Sequence, residues 1–171
     1  MKNKKKKDIF NINMVVRDDD DFLSVFSTRE APVISSDVAD FLQKSTPVPT
    51  RNSQLKLTIY SNCIDEDERY VYKCAIKEYF RELYEATKQK IRYRYTVAVI
   101  LAIIGAVLLG LTYGISNFFN FSYIEEIMDI IACFFLWEAI NQGALKSQEL
   151  RLEKKKYVAF LKMHIKFKNR D

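Results

Sequence analysis

The stretch YTVAVILAIIGAVLLGLTYGIS, residues 95–116, decides the fold of this chain. It contains about twenty apolar residues in a row, which is the length of helix that crosses a bilayer hydrocarbon core of about 30 Å. No Asp, Glu, Lys or Arg occurs from Tyr95 to Ile124. We therefore predict a transmembrane helix at about residues 95–116.

A second apolar segment, at about residues 123–145, follows the first across a short uncharged turn. Because this segment follows the first span so closely, it is predicted to be the helix that returns across the membrane. The basic residues after it also argue against a helix of a soluble protein. The fold expected is a mainly α integral membrane protein: a two-helix transmembrane hairpin with long cytosolic helix extensions and a small cytosolic cap.

The basic residues lie only on either side of this apolar region. All 27 Lys and Arg fall within residues 1–94 or 146–171, and the net charge is +5. The positive-inside rule then predicts a multi-pass plasma-membrane protein with both termini in the cytosol. Basic residues beside an apolar span favour anionic lipid headgroups over nucleic acid as the partner. The candidate headgroup residues are Lys4, Lys5, Lys6, Lys7, Arg92, Arg94, Lys154, Lys155 and Lys156.

The remaining sequence divides into a tail, a cap and a C-terminal segment. Residues 1–21, a lysine run followed by an aspartate run, are expected to be a disordered tail without a secretory signal peptide. Residues 22–94 form the cap, with a short helix capped by Ser36 or Asp37, a strand at 54–61 and an amphipathic juxtamembrane helix at 65–94. Residues 146–171 predict a basic helix and then a strand that pairs with the strand at 54–61.

Small residues recur at every fourth position of the first span. They suit close approach of two helices in lipid, where little hydrophobic force drives association. The partner is either the protein's own second span or a second copy of the chain, unless the stripe makes no specific contact. The residues are Ala98, Ala102, Ala106, Gly110 and Gly114.

The carboxylates of the second span fall into two groups. Glu125, Glu126 and Asp129 lie near its start, at the level of the membrane interface. Glu138 lies about 12 Å inside the other end, eight residues before Lys146. It shares a face with Asn141 and Gln142, which gives a polar edge within the membrane.

An ionisable side chain inside a span usually faces protein or water. No cation of the first span is expected to reach Glu138, because Arg94 lies about 10 Å nearer the cytosol. Three interpretations of Glu138 stay open: a neutral hydrogen-bonded packing residue, a group on an ion or proton path, or a bond between subunits.

Residue types that carry catalysis or bind cofactors are sparse. His164 is the single histidine, the four glycines form no phosphate-binding loop, and no Cys/His set has metal-ligand spacing. The cysteines Cys63, Cys74 and Cys133 are expected to be reduced thiols. The sequence therefore predicts a non-enzymatic protein without a cofactor or metal.

The segment FFLWEAINQGALKSQELRLEKKKYVAFL resembles the end of a type of bacterial two-span membrane protein. In that type an aromatic second span carries a Trp-Glu pair, here Trp137 and Glu138, before a basic cytosolic helix, here Leu150–Leu161. The resemblance extends over about residues 54–168, and it implies the architecture and no activity.

These observations predict an interaction or scaffold protein that forms a homo-oligomer through its spans and presents its cap to a cytosolic protein partner. The alternative is a small ion channel or pore-forming effector with Glu138 at a water-accessible edge. A weaker third hypothesis is a membrane-anchored binder of nucleic acid or lipid headgroups that uses the lysine tail.

Overall fold

The computed structural model describes residues 9–18, 22–28, 30–46, 54–116 and 122–170. Within these described residues, three strands and four α-helices follow one another. In order they are β1 (Ile9–Val15), α1 (Ser36–Lys44), β2 (Gln54–Tyr60), α2 (Glu66–Ser116), α3 (Ser122–Ile140), a π-helical turn (Asn141–Leu145), α4 (Lys146–Leu161) and β3 (His164–Lys168).

The chain divides into two compact units. The first, which we call the cap, is Met1–Ala86 together with Glu153–Asp171, and the second, which we call the hairpin, is Thr87–Leu152. The structure confirms the prediction of a mainly helical chain with two long apolar helices. The predicted boundaries at residues 94 and 145 fall inside the hairpin.

The cap contains a parallel sheet in the order β1-β2-β3. The predicted pairing of the strand at 54–61 with the C-terminal strand is confirmed, and its direction is parallel. Ile12, Leu57 and Ile165 lie side by side in this register. Because alternate residues of a strand share a face, one face of the sheet is apolar and packs into the core of the cap.

Strand β1 corrects the prediction of a disordered tail over residues 1–21 for the part from 9 to 18, and the rest of that segment lies outside the described residues. Residues Ile9–Val15 pair with β2 along its whole length, and Val16 extends the pairing through a hydrogen bond from its N–H to the carbonyl of Tyr60 (2.9 Å). Ile12 and Met14 are buried. The apolar residues here alternate with Asn11 and Asn13, so the strand period was present between the two charge runs.

Helices α1 and α2 each begin at a side chain that accepts a hydrogen bond from a backbone N–H group. Ser35, one residue before the predicted position, caps α1 by accepting a bond from the N–H of Val38. At the start of α2, Glu68 Oε2 accepts a bond from the Asp65 N–H at 2.9 Å, the glutamate half of a capping box. These caps satisfy N–H groups that a helix start leaves without partners.

Two stacked phenylalanines lie in the core of the cap. Phe80 of α2 and Phe160 of α4 have ring centroids 3.8 Å apart and nearly parallel planes, and both rings are buried. The Tyr157 ring lies 6.3 Å from Phe80. Burial raises the pKa of Tyr157 above its ordinary value, and the negative charge of Glu153 adds to the effect. This aromatic cluster joins α2 and α4 within the cap.

The two helices of the hairpin pack antiparallel. A Cβ placed on Gly105 of α2 would lie 2.8 Å from Leu136 Cγ and 3.1 Å from the carbonyl oxygen of Ala132, both on α3. A Cβ placed on Gly143 would lie 3.3 Å from that of Ala98. Among the described residues of the two apolar segments, the buried ones recur every seven residues, as at the seam between paired helices. They are Ala98, Gly105 and Thr112 on α2, and Ala132 and Ala139 on α3.

Candidate functional site

A group of interacting polar side chains lies where α3 passes into α4. Glu138 Oε2 accepts a bond from Asn141 Nδ2 (2.9 Å), and Oε1 accepts bonds from Gln142 Nε2 (2.7 Å) and Lys146 Nζ (3.1 Å). Arg94 of α2 donates from Nη1 to Gln142 Oε1 at 3.2 Å. We call these five residues the polar cluster.

The π-helical turn explains how Lys146 reaches Glu138. The N–H of Lys146 bonds to the carbonyl of Asn141, five residues back, and Ser147 Oγ donates to the carbonyl of Gln142 at 2.9 Å. In an α-helix, residues eight apart differ by about 80° around the axis. The π-helical turn takes up one extra residue, so Glu138 and Lys146 are separated by the equivalent of seven α-helical residues. Seven residues differ by about 20° around the axis, and the two side chains therefore share a face.

The expectation for Glu138 concerned only the cations of the first span, and the structure adds a cation from beyond the second span. Lys146 forms an ion pair with it at 3.1 Å. Arg94 connects to the carboxylate through the amide of Gln142. The predicted polar edge of Glu138, Asn141 and Gln142 is one hydrogen-bonded group, completed by two cations that the sequence pattern alone did not assign to it.

The stripe of small residues turns away from the second span along its length. Ala98 is buried and Ala102 half-buried, whereas Ala106, Gly110 and Gly114 are exposed. Among the described residues, nothing lies within 4 Å of a Cβ placed on Gly110 or Gly114. The interpretation that the whole stripe packs on the protein's own second span is therefore wrong for its outer half.

The other predicted site residues are spread over both units. Glu125 is half-buried, and Glu126 and Asp129 are exposed. Arg92 and Lys155 are exposed as well. Residues Lys4 to Lys7 lie outside the described residues.

Two of the predicted headgroup lysines make contacts within the cap. Lys154 lies over the ring of Tyr84, 5.6 Å from its centroid. Lys156 donates a hydrogen bond to the backbone carbonyl of Gln43. These contacts give both lysines a structural role in the cap.

An open cleft of about 560 Å³ adjoins the polar cluster in the hairpin. It is lined by Lys90, Tyr93, Arg94, Val97, Gln142 and Leu150. Arg94 and Gln142 belong to both features, so the arrangement of the polar cluster fixes one side of the cleft. No sequence pattern indicated this cleft, because its residues come from three separate parts of the chain.

All three cysteines have free thiols. In the described part of the chain, no three His, Cys, Asp or Glu side chains come together in a way that could hold a metal ion.

We expect the Lys146→Met variant to be less stable than the wild type in lipid nanodiscs. The substitution leaves the Glu138 carboxylate with two amide donors and no cation, and a charge without its partner is worse than no charge in a medium of low dielectric constant. The measurement is the thermal midpoint from circular dichroism.

A Glu138→Gln/Lys146→Met double variant removes both charges and should recover most of the loss. Arg151→Met removes an exposed cation outside the polar cluster and serves as the control. Equal midpoints for Lys146→Met and Arg151→Met would contradict a structural role for the ion pair.

The fold and the site together define a chain with two long apolar helices, a polar cluster at one end of them and a small parallel-sheet cap. No protein family, curated protein or solved structure matches this chain. Its function is therefore argued from its own geometry.

Proposed function

We propose that this chain is an integral protein of a bacterial plasma membrane, non-enzymatic, that self-associates through its spans and presents the cap to a cytosolic protein. The apolar surface of the hairpin supports membrane insertion. Only 17% and 11% of the two apolar windows are buried, whereas an apolar helix of a soluble protein is buried in its core. Ile130 is 70% exposed and Trp137 62%, and a surface of this kind needs lipid or protein to cover it.

Charge supports the orientation. Arg94 is the last charged residue before the uncharged run of α2, and Lys146 is the first basic residue after the apolar part of α3. Basic residues lie close to the start of the first span and to the end of the second, and the positive-inside rule favours the cytosolic side for both of these ends. The cap and the two chain termini then lie in the cytosol.

The observation that carries self-association is the exposed outer half of the small-residue stripe. Gly110 and Gly114 are one α-helical turn apart, and no described residue lies within 4 Å of a Cβ placed on either. Two helices approach closely in lipid where small residues allow their backbones to meet. The seam of the hairpin lies on another side of α2, so a second copy of the chain could use this face without displacing α3.

We do not extend the proposal to ion conduction. A pore needs polar groups through the full thickness of the membrane. The polar cluster lies at one end of the hairpin, and the donors around Glu138 come from its own chain. This arrangement gives the channel hypothesis no support.

We expect Gly110→Leu to lower the yield of cross-linked oligomer in native-like membranes by about tenfold, because a leucine there prevents close backbone contact. The measurement is cross-linking through an amine reagent at low protein-to-lipid ratio. Leu111→Phe is the matched control, since it adds bulk at an exposed position about 100° around the helix. A wild-type chain that is monomeric under these conditions would refute the proposal.

A further inference from the structure

Among the described residues, the cleft beside the polar cluster is lined by two cations and by no acidic side chain. Lys90 and Arg94 lie one turn apart on α2, and the other lining residues are uncharged. Glu138, the acid of the adjoining cluster, already accepts bonds from Lys146 and from two amides. Arg94 bonds to the neutral oxygen of Gln142. The positive charge of the cleft is therefore not neutralised from within.

The side chain of Arg94 is held in place before any ligand binds. It is half-buried, and its bond to Gln142 links it to the Glu138 carboxylate. That bond uses one of the five N–H donors of the guanidinium group. A planar guanidinium with free donors matches the oxygens of a phosphate, and a fixed one loses less freedom on binding than a mobile surface side chain.

The cleft also has an apolar side. Val97 and Leu150 line it together with the cations, and Tyr93 adds a ring with a hydroxyl donor. Apolar and cationic groups side by side suit a ligand that joins a phosphate to hydrocarbon. An inorganic anion would make no use of Val97 and Leu150.

The place of the cleft in the chain indicates the depth at which the ligand lies. Arg94 immediately precedes the uncharged run that begins at Tyr95. If the helices cross the membrane as proposed above, on which this step rests, Lys90 and Arg94 lie at the level of the lipid headgroups, where anionic lipids attract Lys and Arg.

We propose that this cleft is a binding site for the headgroup phosphate of an anionic phospholipid. Lys90 and Arg94 bind the phosphate oxygens, Tyr93 donates from its hydroxyl, and Val97 and Leu150 contact the glycerol and upper acyl carbons. Each chain binds one lipid at this site. Such binding is distinct from a diffuse attraction of the basic flanks to the membrane surface.

Native mass spectrometry of the full chain in neutral detergent tests the site, with phosphatidylglycerol and phosphatidylcholine as probes. The wild type should retain one phosphatidylglycerol and bind phosphatidylcholine more weakly. Lys90→Gln/Arg94→Gln should weaken phosphatidylglycerol binding by at least about tenfold, since hydrogen bonds to charged groups are lost. The matched control, Arg151→Gln/Lys162→Gln, also removes one arginine and one lysine, both exposed and neither lining the cleft.

Three results would overturn the proposal: equal weakening in both double variants, equal binding of the two lipids, or no retained lipid. A further arm adds soluble glycerol phosphate. If glycerol phosphate displaces phosphatidylglycerol at a free concentration similar to that of the lipid, the ligand is a free phosphate and the lipid assignment is wrong.

Extraction of membranes with alkaline carbonate separates this proposal from the proposed function. Release of the chain into the supernatant would refute membrane insertion itself. A chain that stays in the membrane pellet but shows no selective lipid binding would refute the cleft site alone.

Discussion

The Phe80→Ala variant should lose about 3–5 kcal/mol of cap stability, the cost typical of truncating a buried aromatic side chain. Phe80 is 0% exposed. Its ring stacks on Phe160 and contacts the rings of Tyr79 and Tyr157. Alanine would leave a cavity between α2 and α4 and remove the stack. A small domain is stable by only about 5–15 kcal/mol, so the loss is a large part of the total.

The measurement for Phe80→Ala is urea unfolding of the full chain in nanodiscs, followed by limited proteolysis within the cap. The matched control is Phe26→Ala, because Phe26 is 89% exposed and its truncation should change stability by less than about 0.5 kcal/mol. If the two variants became protease-sensitive at the same urea concentration, the aromatic cluster would not be the core of the cap.

Local patterns in the sequence were sufficient to predict most of the helices and two of the three strands. The strand β2 was predictable because Leu55, Leu57 and Ile59 alternate with polar residues, and all three are buried. β1 shows the same alternation, but the adjacent lysine and aspartate runs made the average composition of residues 1–21 that of a disordered tail. A short strand with strong partners can form between charge runs when its apolar side is buried.

The ion pair of Glu138 could not be derived from α-helical spacing. At a constant 100° per residue, Lys146 lies on a different side of the helix from Glu138. The π-helical turn at Asn141–Leu145 changes that angle, and no simple sequence rule predicts such a turn. The sequence left three interpretations of this carboxylate open, and the structure gives it three hydrogen-bond donors from its own chain.

The small-residue stripe shows the limit of counting every fourth residue. Four residues advance an α-helix by about 40° beyond a full turn. Over the four steps from Ala98 to Gly114 the stripe therefore winds by about 160°. A neighbouring antiparallel helix follows a spacing of 3.5 residues, which leads from Ala98 to Gly105 and Thr112. The two patterns share Ala98 and then diverge.

This divergence leads to the second large effect: Gly105→Leu should disrupt the hairpin, whereas Gly110→Leu should leave it intact. Even a Cβ on Gly105 would come within 2.8 Å of Leu136 Cγ and 3.1 Å of a backbone oxygen. A leucine adds three more carbons to that space. Overpacking costs typically about 1–3 kcal/mol and occasionally more, so the packed form of the hairpin should fall by about tenfold or more.

An engineered disulfide measures the packed form directly. Ala98→Cys and Gly143→Cys would place two Cβ atoms 3.3 Å apart, close to the usual separation in a disulfide of about 3.5–4.5 Å. With the native cysteines replaced by serine, this pair should oxidise readily in the otherwise wild-type chain. Val107→Cys with Gly143→Cys is the negative control, because residue 107 lies about 13 Å farther along α2 than residue 98.

In this background Gly105→Leu should slow disulfide formation by about tenfold, since the cysteines approach only when α2 and α3 are packed. Gly110→Leu should leave the rate unchanged, because the space beside Gly110 is open. In oligomer cross-linking the order of the two effects should be reversed. Gly110→Leu should lower the yield of oligomer more than Gly105→Leu does, if the hairpin of Gly105→Leu still inserts.

Equal oxidation rates for Gly105→Leu and the unsubstituted pair would show that the seam does not pass through Gly105. A slower rate for Gly110→Leu would show that its face packs against α3, which leaves no free surface there for a second copy.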